Sequence, residues 1–411
     1  MSKGLGNMTL TTEHKTIDVG GSTLHIPEGI NYSCSGCGRC CYGVAVPMTD
    51  EDYDRVSAID FSKDLPQFDW SKQYRKLSAA ESANTNYTHA IKPTSSGHCP
   101  FLIDKLCHIH GKYGEKVKPL ICGLFPYSFN RTPSGIYLTV SFRSNAVLGN
   151  FGTPLTEQLD VLKEKLHVYE TVYDAGATIW DKVKLTVDKP ITWDEYLALE
   201  KKVVEELVKE DVSLKNRIYA GSDVLFAELG KPGTAAAAAP PKTMDKRFLA
   251  GLFALYFPKV KIKDVHFNGI LFAMELMLKP PSFRVQNKNY SFEKLIAVPM
   301  PLDKEVTDLL TRFIYSRIFG KWYFGGGFAQ LSVIAGFHHL VLLLALTRLH
   351  SAGLALGRGA TEISMLDIME TIRELEEKIS VAVLDGYSAA LWELVLFSPQ
   401  RIHRVLDACL A

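Results

Sequence analysis

The chain has 411 residues, more than one ordinary hydrophobic core accommodates, so two or three domains are expected. Its 46 lysines and arginines nearly balance 45 aspartates and glutamates, and a net charge of +1 excludes the basic composition that drives nonspecific binding to nucleic acid. Residues 1–8 lack the charged start and apolar run of a signal peptide, so we expect the protein in the cytoplasm, where thiols stay reduced.

The first part of the chain predicts short strands. Two β-prone runs flank Gly20-Gly21, a pattern typical of a tight hairpin. Thr49 precedes three acidic residues, which is a helix start with its N-cap. A further hairpin is predicted over residues 127–142.

Beyond about residue 150 the hydrophobic period lengthens to that of a helix. Thr192 and Glu195 form a capping box that opens one of the predicted helices. The apolar run 328–346 is nearly long enough to span a membrane, but His338 and His339 are costly in hydrocarbon. We therefore predict a buried core helix here and no membrane span.

Together these patterns predict an α+β protein with a small cysteine-rich metal-binding domain, containing short β-hairpins, followed by a large, mostly helical domain. The predicted boundaries are 1–148 for the cysteine domain, 149–230 for a helical segment and 243–411 for the helical domain. Residues 231–242, an alanine run followed by paired prolines, are predicted to be a linker or surface loop.

Seven of the eight cysteines lie in roughly the first third of the chain, and they are the strongest functional signal. Four of them fall within eight residues at Cys-x-x-Cys spacing, which lets a curled backbone point several sulfurs at one ion or cluster. The predicted metal ligands are Cys34, Cys37, Cys40, Cys41, Cys99, Cys107 and Cys122. Cys409 is expected to be an ordinary packing residue.

Two pairs of these thiols raise specific expectations. Neighbours in extended backbone point to opposite sides, so Cys40 and Cys41 are not expected to bind the same ion. A tight turn at Asp104-Lys105 would bring Cys99 and Cys107 towards each other.

The metal is left open between zinc and iron. A tetrahedral zinc ion takes four ligands, and an iron–sulfur cubane also takes four thiolates. Seven thiols exceed either need, which favours a cluster or two centres over one structural zinc. His98, His108 and His110 could serve as further ligands or as hydrogen-bond donors beside them, although lone histidines near a site are more often incidental.

The cysteine motifs resemble those of a known family. Cys-x-x-Cys-Gly-x-Cys-Cys, then Cys-Pro-Phe-Leu, Cys-His-Ile-His and Lys-Pro-x-x-Cys-x-x-Phe-Pro, resemble the zinc- or iron-chelating CxxCxxCC cysteine-cluster family over residues 34–126. With its long helical continuation, including 193–200, 219–221 and 312–319, the chain also looks like the flagellin lysine-N-methylase branch.

The second resemblance implies a protein-lysine N-methyltransferase that uses S-adenosylmethionine, contains an iron–sulfur cluster and acts on a protein such as flagellin. No catalytic or cofactor-binding residue is predicted. Two other hypotheses stay open: a zinc- or iron-binding protein that transfers electrons without methyl chemistry, and a helical interaction module held together by structural zinc.

Overall fold

The computed structural model describes residues 10–43, 45–83, 85–173, 180, 183–231, 239–257, 281–379 and 386–410. Contacts divide the chain into two compact units, one over Lys15–Ile179 and the other over Trp180–Ala411, with the described residues before Lys15 belonging to the second. Short sheets lie in the first unit and long helices in the second. The prediction of an α+β protein is confirmed.

The N-terminal unit is built from short elements. Its strands are β1 (His14–Val19), β2 (Ser22–Pro27), β3 (Asn31–Tyr32), β4 (Val46–Met48), β5 (Tyr74–Lys76), β6 (His89–Ile91), β7 (Leu102–Ile103), β8 (Leu106–Cys107), β9 (Tyr127–Thr132), β10 (Gly135–Val140) and β11 (Thr153–Pro154). Its helices are α1 (Asp50–Ser57), α2 (Trp70–Gln73), α3 (Ala79–Ser82), α4 (His108–Tyr113), α5 (Leu120–Leu124), α6 (Asn145–Leu148) and α7 (Leu159–Val172).

The predicted hairpins are confirmed. A sheet of four strands has the order β1-β2-β10-β9, in which β10 runs parallel to β2 and antiparallel to β9. Gly20 and Gly21, with φ of 61° and 85°, form the two-residue turn between β1 and β2, which a residue with a β-carbon would adopt at a cost. Thr49 caps α1 and accepts a hydrogen bond from the Asp52 N–H, as predicted.

A second sheet, of order β4-β6-β5, lies beside a small hydrophobic core. The core includes Met48, Phe61, Phe101 and Ile109, all almost fully buried. Cys99, Cys107 and Cys122 pack against it while staying partly exposed. Three thiols far apart in sequence therefore lie along the edge of one core.

The C-terminal unit consists mostly of helices. Its strands are β12 (Val183–Thr186), β13 (Lys189–Ile191), β14 (Phe283–Val285) and β15 (Lys288–Tyr290). Its helices are α8 (Trp193–Leu207), α9 (Leu214–Ala227), α10 (Thr243–Tyr256), α11 (Phe292–Ile296), α12 (Lys304–Phe319), α13 (Val333–Gly357), α14 (Met365–Ile379), α15 (Gly386–Leu396) and α16 (Pro399–Cys409).

Helix α13 is the central element of this unit. Within the described part of the chain it is the one helix long and apolar enough to span a membrane, yet 83% of its apolar window is buried inside the protein. It packs against α9, α14, α15 and α16, among others. The predicted buried core helix is confirmed, although it begins at Val333, after the glycine-rich connection from α12.

The finer division of the chain stays a prediction. Helix α7, placed by the sequence in a separate helical segment, belongs to the unit that ends at Ile179. Residues 232–238 of the predicted linker lie outside the described residues. The predicted linker ends at Lys242, directly before α10. The Lys242 backbone N–H donates to the Asp245 carboxylate in the first turn of that helix, at 2.9 Å.

The two adjacent histidines of α13 are buried as neutral imidazoles. Nδ1 of His338 donates to the Leu396 carbonyl at 2.7 Å, and its Nε2 accepts from the Ser222 hydroxyl at 3.0 Å. His339 Nε2 lies 2.6 Å from the Tyr256 hydroxyl. Burial lowers the pKa of His338 to about 4 and that of His339 to about 3.

We expect the stability of the helical unit to fall as the pH drops below the unfolded histidine pKa of 6.5. Between that value and about pH 4 the unfolded chain binds protons that the folded chain does not, so each buried histidine contributes about 1.4 kcal/mol of lost stability per pH unit. The slope is measured by urea unfolding between pH 7 and about 4.5. It should be smaller by about 1.4 kcal/mol per pH unit in His339→Phe, in which His338 and His350, whose pKa values burial also lowers, remain. His167→Asn, at an exposed position, should leave it unchanged.

Candidate metal centre

The cysteine loop folds into a compact turn. Arg39–Cys41 form one turn of 3-10 helix, and the Cys41 N–H donates to the Gly38 carbonyl at 3.1 Å. The expectation of extended backbone at Cys40 and Cys41 was therefore wrong. Their side chains are hydrogen-bonded to each other, because consecutive residues in a helical turn do not point to opposite sides.

Gly38 lets this loop lie directly on the β7-β8 hairpin. Its φ is 68°, and a β-carbon there would be 2.8 Å from the Lys105 carbonyl oxygen and 2.9 Å from a methyl group of Leu102. Any other residue would push the loop off the hairpin. Asp104 and Lys105, both at positive φ, form the tight turn that the sequence predicts.

Backbone hydrogen bonds join the loop to Cys99. The Cys99 N–H donates to the Cys41 carbonyl at 2.8 Å, and the Gly43 N–H donates to the Gly97 carbonyl at 2.8 Å. Tyr42 and His98 pair between these two bonds as a short antiparallel bridge. The thiols of Cys40 and Cys41 are thereby held next to that of Cys99.

Two further elements supply Cys107 and Cys122. Cys107 ends β8, opposite Leu102, whose N–H donates to the Cys99 carbonyl at 3.0 Å. Cys122 lies on α5, whose first N–H, from Leu120, donates to the buried Asp52 carboxylate at 3.0 Å. Asp52 is 68 residues from Leu120 in sequence, and no sequence motif marks it as part of the site.

The pKa shifts of the buried thiols reflect how close together they lie. Burial raises the pKa of Cys99 to about 12, and the neighbouring Cys107 and Cys40 add to the rise. Burial also raises the pKa of Cys122, with contributions from Cys99, Cys107 and Cys40. A bound cation would oppose both effects by stabilising the thiolates.

Within the adjacent pair, the hydrogen bond shared by the two thiols moves their pKa values apart. It lowers the pKa of Cys40 and raises that of Cys41, which burial raises further. Lys118 and Arg143 are close enough to help lower the pKa of Cys40. These two cations offset negative charge at the thiols. Lys118 belongs to the Lys-Pro-x-x-Cys motif, whereas no sequence motif marked Arg143.

Cys34 and Cys37 lie at the outer side of the loop. Cys34 is exposed and forms a hydrogen bond with Tyr32, whose pKa is raised by burial and by the neighbouring thiols. The Asn145 side-chain amide donates to the Cys37 sulfur at 3.4 Å. Asn145 thus supplies a hydrogen bond to a sulfur from a helix more than a hundred residues away in sequence.

The three histidines close to the thiols in sequence have different surroundings from one another. His98 Nδ1 lies 2.8 Å from the Cys99 carbonyl, and His108 Nε2 lies 3.3 Å from the Asp64 carboxylate. His110 is exposed on α4. His98 thus contacts the backbone of Cys99, whereas His108 contacts a carboxylate.

The thiols of Cys40, Cys41, Cys99, Cys107 and Cys122 therefore lie close together. The thiols of Cys34 and Cys37 lie at the outer side of the loop. In the described part of the chain, no three His, Cys, Asp or Glu side chains already have the arrangement of a metal site. The donor chemistry nevertheless fits a thiophilic metal, since thiolates are the ligands preferred by zinc and by iron–sulfur clusters. Cys409 is buried on α16 in the helical unit, as expected for a packing residue.

Comparison with known proteins agrees with this assignment. Residues 33–145 match the CxxCxxCC family, described as "Putative zinc- or iron-chelating domain". This CxxCxxCC segment contains all seven predicted ligands and excludes Cys409. The match supports metal binding by the cysteine cluster.

An uncharacterised protein of Methanocaldococcus jannaschii is 24% identical over 174 residues, which cover 41% of this chain and 56% of that protein. The match thus spans little more than half of that relative's length. No solved structure gives a significant match to this chain. The resemblance to flagellin lysine-N-methylase finds no support in these comparisons and stays a prediction.

Asp52 offers a test of how the CxxCxxCC segment positions its thiols. We expect Asp52→Ala to remove the acceptor for the Leu120 N–H and the partner of Arg55, and to let the helix of Cys122 shift. Loss of a residue that orients a ligand typically weakens metal binding by about 10–100-fold. Metal affinity, measured by competition with a chelator, should stay unchanged in the control Asp54→Ala, which alters an exposed carboxylate on the same helix.

Proposed function

We propose that the CxxCxxCC segment binds an iron–sulfur cluster, with zinc as the alternative metal. The observation that carries this proposal is the convergence of Cys40, Cys41, Cys99, Cys107 and Cys122 at the edge of one core. A tetrahedral zinc ion uses four ligands, and five converging thiols with two more nearby exceed that number.

The surroundings of the sulfurs favour a cluster. Hydrogen bonds to sulfur and nearby charges are the features by which proteins adjust the reduction potential of an iron–sulfur centre. Asn145 donates to the Cys37 sulfur, and Lys118 and Arg143 place positive charge near Cys40. A structural zinc site needs no such adjustment, because zinc does not change oxidation state.

The deciding experiment is anaerobic purification of the full chain, followed by an absorption spectrum and by analysis of iron, acid-labile sulfide and zinc in the same sample. The cluster predicts a brown protein that contains iron and sulfide. A colourless protein with about one or two zinc ions per chain would overturn the cluster and support the zinc alternative. Reversible bleaching of the spectrum on reduction would favour electron transfer.

Lysine methylation with S-adenosylmethionine rests on the sequence resemblance. In the segments that carry it, Glu200 accepts a hydrogen bond from Lys321 at 2.6 Å, and the Tyr219 hydroxyl donates to Asp407 at 2.7 Å. These contacts give the side chains of Glu200 and Tyr219 a structural role. Calorimetric titration of the metal-loaded chain with S-adenosylmethionine separates the hypotheses, since binding would support methyl transfer and its absence would favour a metal-binding protein without it.

A further inference from the structure

A cavity of about 600 Å³ opens on the N-terminal unit between the end of α1 and the β5-β6 edge of the three-stranded sheet. Its volume lies in the range of small-molecule binding sites. All of its lining residues fall between Tyr53 and His89. None of them is among the predicted metal ligands.

Aromatic rings form much of the lining. Tyr53 stacks on His89 with ring centroids 4.0 Å apart, and Tyr74 meets Tyr53 edge to face at 5.6 Å. Trp70 also lines the cavity, and its other contacts, with Phe61 and Phe101, hold it in place. Fixed rings of this kind favour a planar, aromatic ligand.

The charges at the cavity favour an anion. Two cationic residues, Arg75 and Lys76, line the cavity, against one carboxylate, that of Asp60. Arg75 is already held by Glu81 through contacts at 2.6 and 3.0 Å, whereas Lys76 is exposed and has no ion pair among the described residues. Lys76 is therefore the cation that can meet a negatively charged group on a ligand.

Tyr74 connects the cavity to the thiols. Its ring lines the cavity, and its hydroxyl is buried without a hydrogen-bond partner among the described residues. A tyrosine hydroxyl can donate one hydrogen bond, and Tyr74 packs with Cys99 against the same small core. A buried donor without a partner is costly, and a ligand acceptor or a thiolate would satisfy it.

We propose that this cavity binds a planar aromatic anion of about the size of a nucleoside monophosphate, with its ring among Tyr53, Trp70 and Tyr74 and its negative group at Lys76. The proposal does not depend on which metal the thiols bind. It assigns a second site to the N-terminal unit, lined by Tyr74, which packs against the same small core as Cys99.

The test is calorimetric titration of the full chain with adenosine 5′-monophosphate, adenosine and inorganic phosphate as three separate probes. We expect the monophosphate to bind and the other two to bind at least about tenfold more weakly, since each lacks one of the two recognised groups. Lys76→Gln should weaken binding of the monophosphate by about tenfold. Ser57→Trp, at an exposed position on the cavity wall, should abolish it by filling the space.

Lys163→Gln is the matched control, because it removes the same charge from an exposed position on α7. It should bind the monophosphate as the unmodified chain does. No binding of the monophosphate, or equal binding in Lys76→Gln, would overturn the proposal. If phosphate bound as tightly as the monophosphate, the aromatic rings would not contribute to recognition. If adenosine bound as tightly as the monophosphate, the negative group would not contribute. Either result would contradict the proposal.

Discussion

Replacing Cys122 with serine is expected to cost the protein most of its bound metal. Cys122 lies on a helix of its own, and its thiol is close enough to those of Cys99, Cys107 and Cys40 for each to raise its pKa. Serine is nearly the same size but is a poor ligand for a thiophilic metal. Metal bound per chain after gel filtration should fall to less than half.

The same variant should also lose stability in the N-terminal unit. Bound metal stabilises a folded thiolate site by about 10 kcal/mol or more, since the unfolded chain has no preformed site. We expect the unfolding transition of this unit, followed by circular dichroism, to move to lower temperature. Addition of a strong chelator to the unmodified protein should move it in the same direction.

Cys409→Ser is the matched control for this experiment. Cys409 is 2% exposed on α16, and burial raises the pKa of its thiol to about 12 although Arg348 is nearby. The control should keep its full metal content while losing some stability in the helical unit. Equal metal loss in both variants, or full retention in Cys122→Ser, would contradict the ligand role of Cys122.

The second large effect is expected at a buried ion pair in the helical unit. Lys321 is completely buried, and its ammonium group donates to Glu200 at 2.6 Å and to the Phe319 carbonyl at 2.9 Å. The other oxygen of Glu200 accepts a hydrogen bond from the Tyr196 hydroxyl. Burial lowers the pKa of Lys321 and raises that of Glu200, while their mutual attraction opposes both shifts.

We expect Lys321→Met to destabilise the helical unit by about 3–5 kcal/mol, because it leaves the Glu200 carboxylate buried without its partner. The double variant Lys321→Met, Glu200→Leu should recover most of that loss, since an apolar pair leaves no buried charge uncompensated. The free energies of unfolding of the two single variants and the double variant, measured in urea, provide the comparison.

Lys304→Met serves as the control for the loss of a lysine. Lys304 is 57% exposed and pairs with Glu210 and Asp308 at the surface, where such a pair contributes about 0–1 kcal/mol. A loss in Lys321→Met no larger than in this control would show that the buried pair contributes little. A double variant as unstable as the single one would assign the effect to packing.

Much of the local structure could be predicted from the sequence, because it depends on neighbouring residues. Gly20-Gly21 and Asp104-Lys105 indicated two turns, and Thr49 and Thr192 indicated the starts of two helices. The apolar run 328–346 indicated a core helix. These signals come from backbone preferences and hydrophobic periods that act over a few residues. The cysteine spacing likewise identified the candidate site.

Contacts between distant residues lay beyond such reasoning. The sequence indicated extended backbone at Cys40 and Cys41, whereas the hairpin beneath Gly38 and the hydrogen bond to Cys99 hold a helical turn there. No local pattern connects Asp52 with Leu120, or Asn145 with Cys37. The cavity wall formed by Trp70 and Tyr74 lies in a stretch where the sequence predicted almost nothing.

The sequence by itself therefore determined the candidate ligands of this protein, seven thiols early in the chain, and the long helical part that follows them. Only the tertiary structure decided which thiols converge, which carboxylate accepts a hydrogen bond from the helix of Cys122, and where the cavity lined by Tyr74 opens. The physical reason is that ligand type and local conformation follow from residue chemistry, whereas proximity follows from how the hydrophobic core brings separate segments together.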